Sequence, residues 1–378
     1  MTSERADAIN CKSPVLHVMW RMRIGGAERA VYQLVREQRR RGVPADVAVA
    51  SDPGLYAERL NDTGATVHHL GCRTAWDIGR SLRLSEIGKR YAIVHVHGIE
   101  PLLIIAVSRT DSRLIYTHRG GARNHGWVKR SRLTAAKPYV RRFSAISANT
   151  RHSASVAAQW LELPIERIAV VSNGLDFALL EPIREREDVL TELPAASRSS
   201  SLLVGTASNL QGGKRVDLLI SALAKTDSDI HCAVLGDGPA RRHLERLAMN
   251  LGIADRVTFL GRKEHVGDYL QLFDAFVLPS GPEEAFGNAA VEAMGVGLPT
   301  IVFADGGGLT EHVTDGETGL VVRNADELAG SLVTLKNDGR LRKAVGTAGR
   351  SFARDMYSLD AMFERYAALY NSVANGAA

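Results

Sequence analysis

Short apolar runs alternate with segments of helical period along almost the whole chain, and this alternation limits the fold more than any other feature. In the first half, residues 15–20, 46–50, 66–70, 93–97, 114–117, 145–147 and 168–171 read as strands. Helices fall between them, one closing near Arg41 and others near 55–61, 78–90, 102–107, 128–140 and 151–161. In the first helix Ala27, Ala30, Val31, Leu34 and Val35 recur at helical spacing, and Gly42 ends the run. Such alternation predicts a mostly parallel sheet covered on both faces. Ligands on these sheets bind beyond the carboxyl ends of the strands. With 378 residues the chain is too long for one ordinary doubly wound sheet, so two domains are expected.

The second unit begins at Leu202-Leu203-Val204-Gly205 and runs to residue 356. Residues 1–178 form the first domain, with 357–378 packing back on it. The charged and Ser-rich stretch 179–200 reads as a solvated linker. In the second unit Lys214 stands at the expected start of a helix, where a cation opposes the helix dipole unless an anion is held there. Strands at 231–235 and 257–260 follow, the latter ending at Leu260-Gly261-Arg262.

Residues 275–323 carry the chemistry. A buried strand, 275–278, runs into Pro279-Ser280-Gly281-Pro282, and a helix starts at Gly287–Asn288. Glu284 lies just before that helix and Glu292 about one turn inside it. The helix start offers the N–H groups of Phe286, Gly287 and Asn288 to an anion, and Gly287 lets a phosphate approach the backbone. A carboxylate accepts two hydroxyl donors at once and so suits a vicinal diol. A nucleotide sugar, a diphosphate with a polyol on each side, fits this set. Glu284 would hold the sugar, the helix start the phosphate and Glu292 the ribose.

Ser-Gly-Pro-Glu-Glu-Ala-Phe-Gly from Ser280, Glu292-Ala293-Met294, Gly297-Leu298-Pro299, Asp305-Gly306-Gly307-Gly308 and Gly316-Glu317-Thr318-Gly319 follow in that order. This series resembles the donor-binding signature of the retaining glycosyltransferases of family 4, whose two motif glutamates fall on Glu284 and Glu292. The resemblance implies the GT-B fold, α/β with two facing Rossmann-like domains and a C-terminal helix returning to the first. It implies a metal-independent hexosyltransferase, in which a donor phosphate oxygen takes the acceptor proton and no protein nucleophile is needed. It places the nucleobase near Leu260 and Gly261, and Lys214 on the diphosphate. Gly25-Gly26 would line the first domain's site, with Gly26 beside the donor. Histidine after the strand at 114–117, here His118, would contact the donor sugar or position the reacting groups, and with Glu284 and Lys214 makes the expected catalytic set. His97 and Arg119 are expected on the acceptor side. Asn209 stands where the family has arginine, which brings neutral hydrogen bonds but no charge.

Composition closes off other classes. Cys11, Cys72 and Cys232 are scattered, which argues for free thiols in a reducing compartment. The N-terminus lacks a secretory apolar core, and no apolar run reaches a membrane span. Asp227-Ser228-Asp229 precedes a strand and reads as a turn, and no other cluster has metal spacing, so neither metal nor cofactor is expected. Between Ser112 and Leu161 there is no Asp or Glu but many Lys and Arg, with Trp127 and Tyr139 among them. No nucleic-acid motif accompanies that charge. It suits an anionic membrane surface or a lipid-linked glycan acceptor, and a cytoplasmic enzyme peripheral at the inner membrane face. Two rival readings are a UDP-sugar hydrolase or epimerase on the same fold, and a non-catalytic nucleotide-sugar-binding subunit.

Overall fold

The structure is a computed structural model and describes residues 13–75, 77–120 and 127–375, the side chains of 127–130 excepted. Cys11 and Arg123, and the side chains of Trp127, Lys129 and Arg130, lie outside the described residues. The chain divides into two units, Met1–Leu175 with Leu359–Ala378, and Asp176–Ser358.

In the first unit seven strands form one parallel sheet: β1 (Val15–Met19), β2 (Ala45–Val49), β3 (Val67–His69), β4 (Ile93–Val96), β5 (Arg113–His118), β6 (Ala145–Ala148) and β7 (Ile168–Val170). Their order is β3-β2-β1-β4-β5-β6-β7. Strands β1 and β4 are buried along their whole length, as strands covered on both faces must be. The helix Gly26–Arg40 covers β1 with Ala30, Val31, Leu34 and Val35, and Gly42 closes its C-terminal turn at φ 78°. The C-terminal helix Leu359–Ala374 belongs to this unit, as the sequence implies. Its Met362, Tyr366, Leu369, Tyr370 and Val373 share one core with Val15, Leu34, Ile93, Ile115 and Val171. Gly174 is required beneath it, because a Cβ there would press on Met362.

The second unit repeats the plan with β8 (Leu202–Ala207), β9 (Ile230–Leu235), β10 (Val257–Gly261), β11 (Ala275–Leu278), β12 (Thr300–Phe303) and β13 (Leu320–Val322), in the order β10-β9-β8-β11-β12-β13. In both sheets the order reverses direction after the first strand, between β1 and β4 and between β8 and β11. Loops leaving the carboxyl ends of those strands part there and open a crevice.

The linker expected at 179–200 is folded into the second unit. It holds the short helices Arg186–Leu190 and Ala195–Arg198, and Val189 and Leu193 are buried. Glu192 accepts hydrogen bonds from Arg184, Lys263 and Tyr269, which hold its carboxyl down at about 2. Asp268 receives the N–H groups of Ile183 and Arg184. Glu192, which looks solvated in sequence, is here held by Lys263 and Tyr269, 71 and 77 positions away.

Candidate functional site

The crevice between β8 and β11 gathers the donor-side residues. Lys214, in the loop after β8, donates to the Glu284 carboxylate in the loop after β11. Burial alone would push the Glu284 carboxyl up; the Lys214 ammonium, by its charge and its hydrogen bond, holds it below the usual carboxylate range. Glu284 is therefore an anion at neutral pH, in a place with little water to screen it. An ionised carboxylate has about four acceptor positions, so the Lys214 contact leaves room for ligand hydroxyls. Lys214 likewise has donor capacity beyond its one carboxylate.

One expectation changes here. Lys214 does not open a helix: it ends a 3₁₀ turn, Gly212–Lys214, and the helix proper is Val216–Leu223. Arg215 between them takes φ 46°, which sends its side chain away from Lys214. Its guanidinium bonds the Pro279 carbonyl at 2.8 Å and both Asp305 oxygens at 2.7 and 2.8 Å, and lies over the Phe303 ring. Arg215 thus ties the ends of β11 and β12 together, and the charge missing at Asn209 is not supplied by it.

The segment entering the next helix is shaped from behind. Gly287 takes φ 78° before the helix Asn288–Val296, and a Cβ there would strike Leu309. The Gly308 N–H donates to the Glu284 carbonyl at 2.8 Å and the Gly281 N–H to the Gly213 carbonyl at 3.1 Å. His312, buried, donates from Nε2 to the Phe286 carbonyl at 2.6 Å while Nδ1 meets the Tyr357 hydroxyl at 2.7 Å. Burial pushes that imidazole down to about 4, although the Phe286 carbonyl and Glu284 pull it up. His312 gave no signal in the sequence, since its partners lie 26 and 45 positions away. Glu292 is buried in the helix that this turn begins.

The other donor-side candidates share the same sheet edge. Asn209 is exposed in the loop after β8. Gly261 ends β10 with φ 71°, and its carbonyl accepts from the Gly236 N–H at 2.7 Å, which fixes Leu260 and Gly261 against the loop after β9. Gly236 and Gly238 are needed because a Cβ on either would meet the backbone of 208–210. Asp227 and Asp229 hold the Lys336 ammonium, at 2.6 and 3.0 Å, in the position a metal ion would take.

In the first unit the corresponding edge is built from histidines. His118 closes β5, with Nδ1 at 3.0 Å from the Tyr116 hydroxyl. Gly25 caps the helix that begins at Gly26, and the Glu28 carboxylate folds back over it. His17 of β1 comes together with His95 of β4 and with His97 just beyond it, one nitrogen of each within 4.8 Å of the others. Their ring nitrogens are taken up by protein partners. His17 meets His97 at 3.0 Å and Gln38 at 2.8 Å, His95 meets Tyr370 at 2.8 Å and Thr117 at 2.6 Å, and His97 receives Arg119. Burial drives all three pKa values down, so the trio is a neutral hydrogen-bonded network. His97 accordingly lies behind Arg119 as its support.

Known proteins resemble this chain in sequence and in fold. Residues 24–179 match the model of Glycosyltransferase Family 4 and residues 194–352 that of Glycosyl transferases group 1. The chain is 28% identical to N-acetyl-alpha-D-glucosaminyl L-malate synthase of Bacillus anthracis, over 87% of this chain and 80% of that protein. It is 30% identical to D-inositol 3-phosphate glycosyltransferase of Xylanimonas cellulosilytica, over 73% of this chain and 72% of the relative. Among solved structures it resembles Anabaena HepE in complex with UDP and glucose, with a TM-score of 0.84, 21% identity, and 95% of this chain and 100% of that one covered. The fold is GT-B, and the chain belongs to glycosyltransferase family 4.

Proposed function

We propose that the protein moves a sugar from a nucleotide-sugar donor to a hydroxyl of a glycan or lipid-linked acceptor, with retention of anomeric configuration, in polysaccharide or glycolipid biosynthesis. The observation that carries this reading is the Lys214–Glu284 ion pair, set across the β8/β11 crevice beside the glycine start of the helix Asn288–Val296. Lys214 would meet the diphosphate as negative charge develops on it, the stage at which a fixed cation accelerates the reaction most. Glu284, kept ionised and oriented by Lys214, would accept from the sugar hydroxyls and so fix the donor. Its role is positioning within the donor complex and not covalent attack. Gly287 and Asn288 would complete the phosphate site, Glu292 would take the ribose, and His118 would approach the reacting sugar.

The HepE structure, which holds UDP and glucose, supports a nucleotide sugar as donor. The relatives' names, a glucosaminyl malate and an inositol phosphate, support transfer to a hydroxyl-bearing acceptor. No metal is part of this reading: the Asp227–Asp229 pair already holds Lys336, and the histidine trio spends its nitrogens on protein partners. Sugar release from a UDP-sugar should be followed with and without an acceptor extract, in excess chelator. Release that requires the acceptor and persists in chelator is expected. Equal release without acceptor would indicate a hydrolase, binding without release a non-catalytic subunit, and a strict need for manganese or magnesium a misplaced phosphate site.

A further inference from the structure

Arg119 leaves the end of β5 and is held from three directions. Its Nε–H points to His97 Nδ1 at 3.4 Å, Nη1 donates to the Asn173 side-chain oxygen at 2.6 Å, and Nη2 to the Tyr366 hydroxyl at 3.0 Å. The supports come from the segment after β4, the segment after β7 and the C-terminal helix, so separate parts of the unit converge on one guanidinium. All three are uncharged: an amide, a phenol, and an imidazole that burial, His95 and Arg119 itself hold well below its usual range. Among the described residues none of its hydrogen-bond partners is a carboxylate. Elsewhere the chain treats cations differently, giving Lys214 to Glu284, Arg215 to Asp305 and Lys336 to two aspartates. Arg256 also rests on neutral carbonyls, but it is buried at the amino end of β10, where these sheets take no ligand. Arg119 is only half-buried and stands at the carboxyl edge.

A guanidinium has five N–H donors. Three are engaged, which leaves one on each Nη nitrogen, and a fixed planar fork is the arrangement that recognises carboxylate or phosphate oxygens in pairs. Burial pushes the Glu28 carboxyl up, with Arg21 and Arg119 acting against that, and its oxygens are turned onto Gly25.

We propose that Arg119 receives an anionic group, carboxylate or phosphate, on the acceptor, and that Tyr366 of the C-terminal helix is its positioning residue. This rests on the transferase reading above and names the acceptor's chemical class. An acceptor with a charge a fixed distance from its reacting hydroxyl would be oriented by one strong contact, while an uncharged analogue would leave Arg119 without its ligand. The C-terminal helix then serves acceptor recognition as well as the core.

Calorimetric titration of the full chain saturated with UDP tests this. The probes are malate and glycerol 3-phosphate, each beside an uncharged counterpart, malamide and glycerol. At least one anionic probe should bind about ten-fold or more above its counterpart, a gap of about 1.4 kcal/mol. Arg119→Gln should abolish the gap, Arg119→Lys should keep part of it, and Tyr366→Phe should shrink it without lowering the melting temperature by more than the lost hydroxyl explains. The malate and phosphate arms show which anion fits the fork. Equal binding of charged and uncharged probes, or a gap that survives Arg119→Gln, overturns the proposal. UDP binding is measured in the same samples. If UDP binds and no anion preference appears, this inference alone fails, whereas absence of UDP binding by the unmodified protein removes the donor reading.

Discussion

His312 donates to the Phe286 carbonyl at 2.6 Å from behind the turn that carries Glu284, two residues before Phe286. One buried imidazole therefore fixes the peptide that joins Phe286 to Gly287, at the start of the helix Asn288–Val296. His312→Ala leaves the Phe286 carbonyl and the Tyr357 hydroxyl without that partner in a dry setting, a loss of about 1–3 kcal/mol. The expected result is a lowered melting temperature together with UDP-sugar affinity weakened by about ten-fold or more. Unchanged donor affinity in a correctly folded variant would separate His312 from the site.

The two motif glutamates should respond differently. Glu284→Ala removes the partner of Lys214 and the anchor for the sugar, and turnover should fall by orders of magnitude while the fold survives, since the residue lies in a loop. Glu292→Ala should act mainly on donor affinity, by roughly 1.5–3 kcal/mol, the range of a charge-assisted hydrogen bond. Equal and small effects of the two changes on kcat and KM would sink the assigned roles.

The strands and the glutamate motif were legible because their signals are local. Period-two and period-3.6 apolar spacing, and glycines that punctuate turns, need no knowledge of distant residues. Where contacts are long-range the sequence misled. Lys214 reads as a helix start, but Arg215 takes a left-handed backbone to reach Asp305, 90 positions on. The charges of 179–200 read as solvated, but Glu192 finds Lys263 across 71 positions. The histidine trio is not readable as a set, since His17 of β1 becomes the neighbour of His95 and His97 only through β1–β4 pairing. His97 illustrates the general point: the residue type and sheet edge were right, and what it touches was not readable.

Acid should weaken the fold through buried imidazoles. Burial depresses His17 and His312 to about 4, against about 6.5 when unfolded. Between those values the unfolded chain takes up protons that the folded chain refuses. Their contribution is thus full above pH 6.5 and is lost as pH falls toward 4, by roughly 3 kcal/mol each at most. Depressed carboxylates such as Glu284 act only at still lower pH. Scanning calorimetry between about pH 7 and pH 5 should show a falling midpoint, with a shallower slope in His17→Gln, which cannot titrate. A flat profile would mean these rings are not held neutral by burial.

The last expectation concerns where the enzyme works. Arg113, Arg119, Arg123, Lys129, Arg130, Arg132, Lys137, Arg141, Arg142 and Arg151 lie between Ser112 and Leu161 without an acidic residue among them. Arg123 and the side chains of Lys129 and Arg130 are outside the described residues. Of the others, Lys137 is paired with Glu162 at 2.6 Å and Arg119 is built into its cradle, while Arg113, Arg141, Arg142 and the ring of Tyr139 are exposed. Among the described residues no helix is long and apolar enough to cross a membrane, so contact with a bilayer would be made by such a face. Each Lys or Arg near an anionic surface contributes about 1 kcal/mol, an attraction that salt screens. We propose peripheral binding at the inner membrane face on this basis. In flotation with liposomes of graded anionic content, binding should need anionic lipid, weaken with salt, and drop when Lys129, Arg130 and Arg132 are replaced by Glu. Arg142→Glu should add to that drop, whereas Lys137→Ala, already neutralised by Glu162, should change it little. If the protein ignores anionic liposomes even at low salt, the basic faces are solvated surface and the acceptor must be met away from the bilayer.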